Sequence, residues 1–403
     1  MQRDASVIIV GGGPAGMATA LFLLEHDVDV IVLEKSLQPH ADPRAATYHP
    51  PTLEMLAPSG VTAELHARGL VARHWQIRDR KAGLIAEFDL AALAGDTPYP
   101  YRLQCEQHKL VAMLERRVAS HPKARIIHAA DVIDVTQDAD SVTVEFNAGE
   151  GRRSLRAAWL VGADGGRSVV RKSQQIEFAG FTWPERFLVI TTSFDFATLG
   201  YALSSYTMDP TEWTATFKIP GDDENGLWRC VFPTRPEEHD NELLDFGSAA
   251  HRLAALAADT AGGKIVHTNL YSVHQRVARS YHRGRVLLVG DAAHVNNPLG
   301  GMGLNFGLHD AHDLAPRLAA ILHDQTDAET LLAGYDRRRR TVAENYLQSQ
   351  TIANKRLLEE NDPDVRRVRQ DEIRTIAADP DATRRYLLRT SMIESIRAAA
   401  QIN

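Results

Sequence analysis

Cysteine is scarce. Cys105 and Cys230 are the only two in 403 residues, which excludes a disulfide framework and fits a reducing compartment. Also missing is any apolar run of about 18 residues, the length a membrane-spanning helix needs. No basic leader with a cleavage site precedes the first apolar strand at Val7, so the expected location is the cytoplasm. Positive charge is not in excess: 45 Lys and Arg stand against 52 Asp and Glu, which argues against nucleic acid as the main partner. The 17 histidines form no H-E-x-x-H and the cysteines no C-x-x-C, so no metal site is expected. Low-complexity tracts and internal repeats are absent as well. What remains is 44% hydrophobic and 24% charged, enough for one large or two ordinary globular domains.

The chain opens with the buried-strand run Val7 to Val10, then glycines, then a helical stretch from Pro14 to Glu25 and a second strand from Val28 to Leu33. That βαβ unit predicts a parallel sheet covered by helices, hence an α/β fold. Helices are expected over Pro50–Leu56 and Glu106–Val118, and a hairpin over 132–146 with its turn at Asp138 to Asp140. From Phe187 to Phe232 the pattern becomes four strands, Phe187–Phe196, Ala202–Met208, Trp213–Ile219 and Leu227–Phe232, separated by turn-rich stretches, which predicts an inserted antiparallel sheet. Val286 to Val289 reverts to a parallel-type strand, and helices fill Gly303 to the end.

Gly11-Gly12-Gly13-Pro14-Ala15-Gly16 fits G-x-G-x-x-G between a strand and a helix. Gly11, Gly13 and Gly16 let the backbone turn and approach a pyrophosphate, whose charge sits on the N-terminus of the helix opened by Pro14 and Ala15. Glu34, followed by Lys35, closes the second strand, where a carboxylate accepts hydrogen bonds from an adenosine ribose. The motif predicts a dinucleotide without choosing between FAD and NAD.

Two later segments choose. Leu160-Val161-Gly162-Ala163-Asp164-Gly165-Gly166-Arg167-Ser168-Val169-Val170-Arg171 resembles the DG motif of class A flavoprotein monooxygenases, the para-hydroxybenzoate hydroxylase superfamily. Val286 to His294, with Gly290-Asp291, then Pro298, Gly300 to Gly303 and Asn305, resembles that family's GD motif. All three motifs stand in the family's order over roughly residues 1–345. The resemblance implies non-covalent FAD held by a Rossmann-like parallel sheet (1–74, 100–180 and 267–345). It implies a substrate sheet at 75–99 and 181–266, and C-terminal helices at 346–403 in place of the thioredoxin-like domain of larger relatives. Asp164 and Gly165 are then expected to serve FAD and the nicotinamide, and Asp291 the ribityl chain. Gly301, Met302, Gly303 and Leu304 would present a helix N-terminus to the flavin. Arg44 and Gln104 carry over as further cofactor contacts.

The chemistry implied is hydroxylation of a small aromatic (a phenol, aromatic acid or N-heteroaromatic) with NADH or NADPH and O2 through a flavin C4a-hydroperoxide. Flavin carries the hard chemistry, and the protein binds, orients and excludes water. Pro298 is expected beside the reacting oxygen, and Tyr48 and His49 as candidates for deprotonating a phenol. For the substrate, Tyr201, Tyr206, Trp213, Phe217, Trp228 and Arg229 are candidate lining groups. An inward Arg229 would clamp a carboxylate in bidentate fashion; strand alternation allows either Arg229 or its neighbour Trp228 to face inward. A homodimer is compatible with the C-terminal helices. The competing reading is a related flavoenzyme: a phenolic halogenase, an epoxidase or a prenyl reductase. The W-x-W-x-I-P signature of tryptophan halogenases is absent around Trp228-Arg229-Cys230.

Overall fold

The computed structural model describes residues 3–37, 45–149, 151–222, 225–324 and 326–402. The strand Ala5–Val10, the helix Pro14–Glu25 and the strand Val30–Leu33 form the expected βαβ unit. The helix starts where Pro14, at its first position, needs no amide partner. Nine of its twelve residues are buried, because one side covers the sheet and the other packs against the long helix Gly303–Asp324.

Around this unit the parallel sheet runs Val286–Leu288, Gly151–Gly162, Ala5–Val10, Val30–Leu33, Ala124–Ile127. Such strands are buried on both faces, and the runs Val7 to Val10 and Val30 to Leu33 are apolar throughout, as that demands. The hairpin expected over 132–146 is present as Asp131–Gln137 and Val142–Ala148, and it feeds the long strand Gly151–Gly162.

The second sheet has eight strands: His294–Val295, Ile265–Ala278, Phe178–Thr192, Leu227–Pro233, Thr214–Ile219, Ser204–Met208, His74–Asp79 and Gly83–Asp89. Every pairing is antiparallel except Ser204–Met208 with His74–Asp79. The strand expected to reach Phe196 stops at Thr192, because the Asp195 side chain caps a short helical turn at Phe196–Leu199. Ile265–Ala278, not anticipated from its mixed polar pattern, pairs along Phe178–Thr192.

C-terminal helices Pro363–Ala378 and Pro380–Thr390 lie against the edge of this sheet. Tyr386 stacks on Trp75 with centroids 5.7 Å apart and tilts against Phe88 at 4.9 Å. Arg384 and Arg397 both pair with Asp96. Both cysteines are buried and free. Among the described residues no helix is long and apolar enough to cross a membrane.

Candidate active site

A cavity of ≈ 920 Å³ runs from the glycine turn after the first strand to the face of the antiparallel sheet. At its first end the backbone is packed too closely for side chains. Gly11 has φ +106°, and a Cβ there would meet the Ala163 carbonyl oxygen at 2.4 Å; at Gly16 it would meet the Gly11 oxygen at 1.9 Å. Gly11, Gly13, Pro14 and Ala15 line the cavity, while Gly16 lies behind them and permits the close approach. The carboxylate of Glu34, also on the wall, accepts the Gly12 amide at 2.6 Å and the Ser36 amide at 2.8 Å. Lys35 lines the mouth, exposed, and pairs with Asp131 at 3.1 Å. Arg44 lies outside the described residues.

Asp164 and Gly165 form part of the same wall. Asp164 accepts hydrogen bonds from the Ser168 hydroxyl and the amides of Val169 and Val170. Burial raises its pKa against the pull of those donors. The carboxylate therefore also organises the turn into the helix Val169–Ser173.

The Gly290–Asp291 turn rests on a buried charge cluster. The Gly290 amide donates to Asp310 at 3.0 Å, and Asp310 pairs with His294 and Arg339, each at 2.7 Å. Burial alone would raise the Asp310 pKa, but His294 and Arg339 hold it below the usual carboxylate value. With Gly290 fixed at φ +60°, Asp291 is set on the cavity wall.

Pro298, Gly301, Met302, Gly303 and Leu304 continue that wall into the N-terminus of the helix Gly303–Asp324. Asn305 stands behind it and uses its whole amide. The nitrogen donates to the Thr47 and Gly301 carbonyls at 2.9 and 2.7 Å; the oxygen accepts from the His49 amide and the Thr52 hydroxyl at 3.0 and 2.7 Å. Gln104 is likewise one layer back, accepting from the Thr47 hydroxyl at 2.8 Å. Asn305 and Gln104 thus position the wall without forming it.

Tyr48 and His49 are also behind this wall, which corrects the expectation that they act on a substrate proton. His49 Nε2 lies 2.8 Å from the Gly300 carbonyl oxygen, so it donates there. Burial, helped by the nearby Arg102 charge, pushes the His49 pKa down to about 3, and the ring is neutral. Tyr48 is fully buried, and burial raises its hydroxyl pKa well above the ordinary value.

The far end of the cavity is made of side chains. Arg229, Phe217 and Tyr206 line it, from three adjacent strands. Trp228 faces the opposite side of the same strand, where its indole donates to Asp195 at 2.8 Å and packs on Phe196. Tyr201, under the Arg78 guanidinium at 4.0 Å, and Trp213, edge-on to Phe187 at 4.9 Å, are packing residues outside the cavity. Burial lowers the Arg229 pKa to about 10, with Glu106 pulling it back up, so the guanidinium stays charged. Arg102, Asn269 and Tyr271 line this end too. None was anticipated: the last two lie on the strand Ile265–Ala278, whose polar pattern hid it, and Arg102 stands in a three-residue strand too short to leave a pattern.

A groove of this length, glycine-walled at a helix N-terminus and side-chain-walled beyond, suits an extended dinucleotide followed by a ring. Residues 4–350 match the FAD binding domain family. The chain belongs to that family and, within it, to the class A flavoprotein aromatic monooxygenases: it is an FAD-dependent aromatic hydroxylase with NAD(P)H as reductant.

Among relatives, it is 34% identical over 390 residues, 96% of each chain, to para-nitrophenol 4-monooxygenase of Pseudomonas sp. (strain WBC-3). It is 34% identical over 347 residues to 6-hydroxy-3-succinoylpyridine 3-monooxygenase HspB of Pseudomonas putida (strain DSM 28022 / S16), covering 85% of this chain and 86% of that one. The crystal structure of p-nitrophenol 4-monooxygenase PnpA from Pseudomonas putida DLL-E4 superposes with a TM-score of 0.92 at 33% identity, over 98% of this chain and 99% of the other.

Proposed function

We propose that the substrate is a small hydroxylated aromatic bearing a second, anionic or strongly polar group, and that Arg229 binds that group. The observation that carries this reading is the parity of one strand: Arg229 faces the cavity and Trp228 faces away. The names of the relatives lend support, since each joins a ring hydroxyl to an oxygen-rich substituent, nitro in one and succinoyl in the other. An arginine meets such a group with two parallel N–H donors in a dry site, where charge-assisted bonds are strongest.

In this reading the glycine turn, Glu34 and Asp164 serve the adenosine and pyrophosphate end of FAD, and Asp291 and the Gly301–Leu304 helix start serve the flavin end. FAD, reduced by the nicotinamide, supplies the oxygen-transfer chemistry with O2. The chain's own part is to hold the ring between Pro298 and the sheet, keep it oriented through Arg229, and exclude water behind Tyr206 and Phe217. The two free, buried cysteines support a cytoplasmic setting. The test is a screen of nitrophenols, hydroxypyridines and hydroxylated aromatic acids for stimulated NAD(P)H oxidation, with product mass. A gain of one oxygen atom on an acidic or nitro-bearing phenol is expected. Stimulation only by neutral, unsubstituted rings would overturn the assignment of Arg229.

A further inference from the structure

Four arginines are buried among the described residues: Arg102, Arg171, Arg229 and Arg339. Arg171 donates to the Ala292 and Gly166 carbonyls, each at 2.9 Å, and Arg339 pairs with Asp310. Arg102 differs. It is 4% exposed, yet among the described residues it has no ion pair and its guanidinium donates no hydrogen bond to the protein; its Nε is fully enclosed without a partner. It lies over the face of Trp75, with the guanidinium carbon 4.7 Å from the ring centroid. The charged and titratable groups that feel it are Tyr206, Tyr386 and His49, with no carboxylate among them. Arg102 lines the cavity, as does Tyr206, whose ring meets the same Trp75 edge-on with centroids 5.7 Å apart.

A guanidinium largely removed from water without an anion is costly, so a protein that keeps one in a cavity wall is equipped to receive an anion there. Position says which. Arg229 and Tyr206 stand two strands and two residues apart on one sheet face, since Val231 pairs with Ala215 and Ala215 with Tyr206. At ordinary sheet spacings that separates their Cα atoms by about 12 Å, room for one aromatic ring with a substituent at each end. We infer that Arg102, backed by Trp75 with Tyr206 packed on the same ring, is the receptor for the ionised ring oxygen of the substrate. The ring is then bound as a phenolate whose proton has gone to solvent.

This inference rests on the phenol reading above, and it fits the sheet end of the cavity, where among the described residues no carboxylate or histidine lines the wall and His49 and Tyr48 lie behind it. A phenolate is the more electron-rich ring, which suits attack by an electrophilic oxygen. Arg102 and Arg229 together would select substrates that carry a charge or a strong dipole at both ends.

The experiment uses the FAD-loaded enzyme with para-nitrophenol, whose yellow phenolate reports its own ionisation in difference spectra, and nitrobenzene as a ligand without the hydroxyl. In the wild type the bound phenol should titrate at least about one unit below its value in solution, a tenfold preference for the anion. Arg102→Gln, and Arg102→Met, which keeps an apolar stem on Trp75, should abolish that shift. They should weaken nitrophenolate binding by roughly 10- to 100-fold and change nitrobenzene binding by less than about threefold. Arg102→Lys should restore part of the shift, and Arg229→Ala should reduce the shift less than Arg102→Gln does. An unchanged shift in the Gln or Met variant, or an equal loss for both ligands, would overturn the assignment of Arg102 alone. Failure of the wild type to bind nitrophenolate in preference to nitrobenzene would instead overturn the phenol reading.

Discussion

The two ends of the cavity are built from different material. At one end the wall is backbone: Gly11, Gly13, Gly290, Gly300, Gly301 and Gly303 line it, four of them with positive φ. The side chains there, Glu34, Asp164 and Asn305, are largely occupied in holding turns. At the other end the wall is side chains on a sheet, Tyr206, Phe217, Arg229 and Tyr271, carried by strands whose pairing is made by the backbone. A cofactor shared by many relatives suits a wall that only glycine can form. A substrate that differs from one relative to the next suits a wall that substitution can reshape.

If the cofactor end is a matter of backbone held from behind, its weakest point is the cluster that holds it. Asp310→Ala should have the largest effect. It strands Arg339 and His294 in the interior and orphans the Gly290 amide, and breaking a buried pair costs about 3–5 kcal/mol. Thermal unfolding and FAD content, measured together, should both fall. Full FAD occupancy at an unchanged melting temperature would show that the Gly290–Asp291 turn does not depend on this cluster, and the contrast between the two ends would lose its basis.

The substrate end should respond in the opposite way, with function changing and the fold left alone. Arg229→Ala should raise KM for an acidic or nitro-bearing substrate by roughly 10- to 150-fold, the weight of a contact worth ~1.5–3 kcal/mol, with FAD content unchanged. Trp228→Phe is the paired control. It keeps bulk on the far face and gives up the bond to Asp195, so the melting temperature should drop while KM stays within about twofold. A rise in KM for the phenylalanine variant alone would mean that the strand presents its other face to the substrate.

The same division sets what can be read from the sequence. Turns that require glycine leave a spelled-out trace, so the three motifs and the sheet beneath them are legible in the order of residues alone. The parity of Leu227–Pro233 is not. All five residues from Trp228 to Phe232 are buried, because the cavity wall covers one face and the helix Phe246–Leu256 closes the other. Alternation of polarity, the usual guide to strand facing, has nothing to report on such a strand. Arg102 escapes notice for a related reason: its strand Arg102–Gln104 belongs to a small three-stranded sheet whose partners, Thr47–Tyr48 and Leu70–Ala72, come from two separate stretches of chain. Tyr48 and His49 are misplaced by sequence reasoning because closeness along the chain to a cofactor segment does not say which side of a wall a side chain takes.

The smallest expected effect lies at the mouth of the cofactor end, where the wall ceases to be backbone. Lys35 follows Glu34 and lines the opening, and its ammonium pairs with Asp131 at 3.1 Å with the two side chains 75% and 47% exposed. Exposed pairs of this kind contribute about 0–1 kcal/mol and are screened by salt. Its attraction for a passing phosphate is subject to the same screening. Lys35→Ala should therefore weaken FAD retention by less than about fivefold at low ionic strength, and the difference from wild type should vanish as salt is raised. FAD release measured by fluorescence across a salt series checks this. A large loss that persists at high salt would mean that a charged side chain, and not the glycine-walled turn, dominates binding at that end.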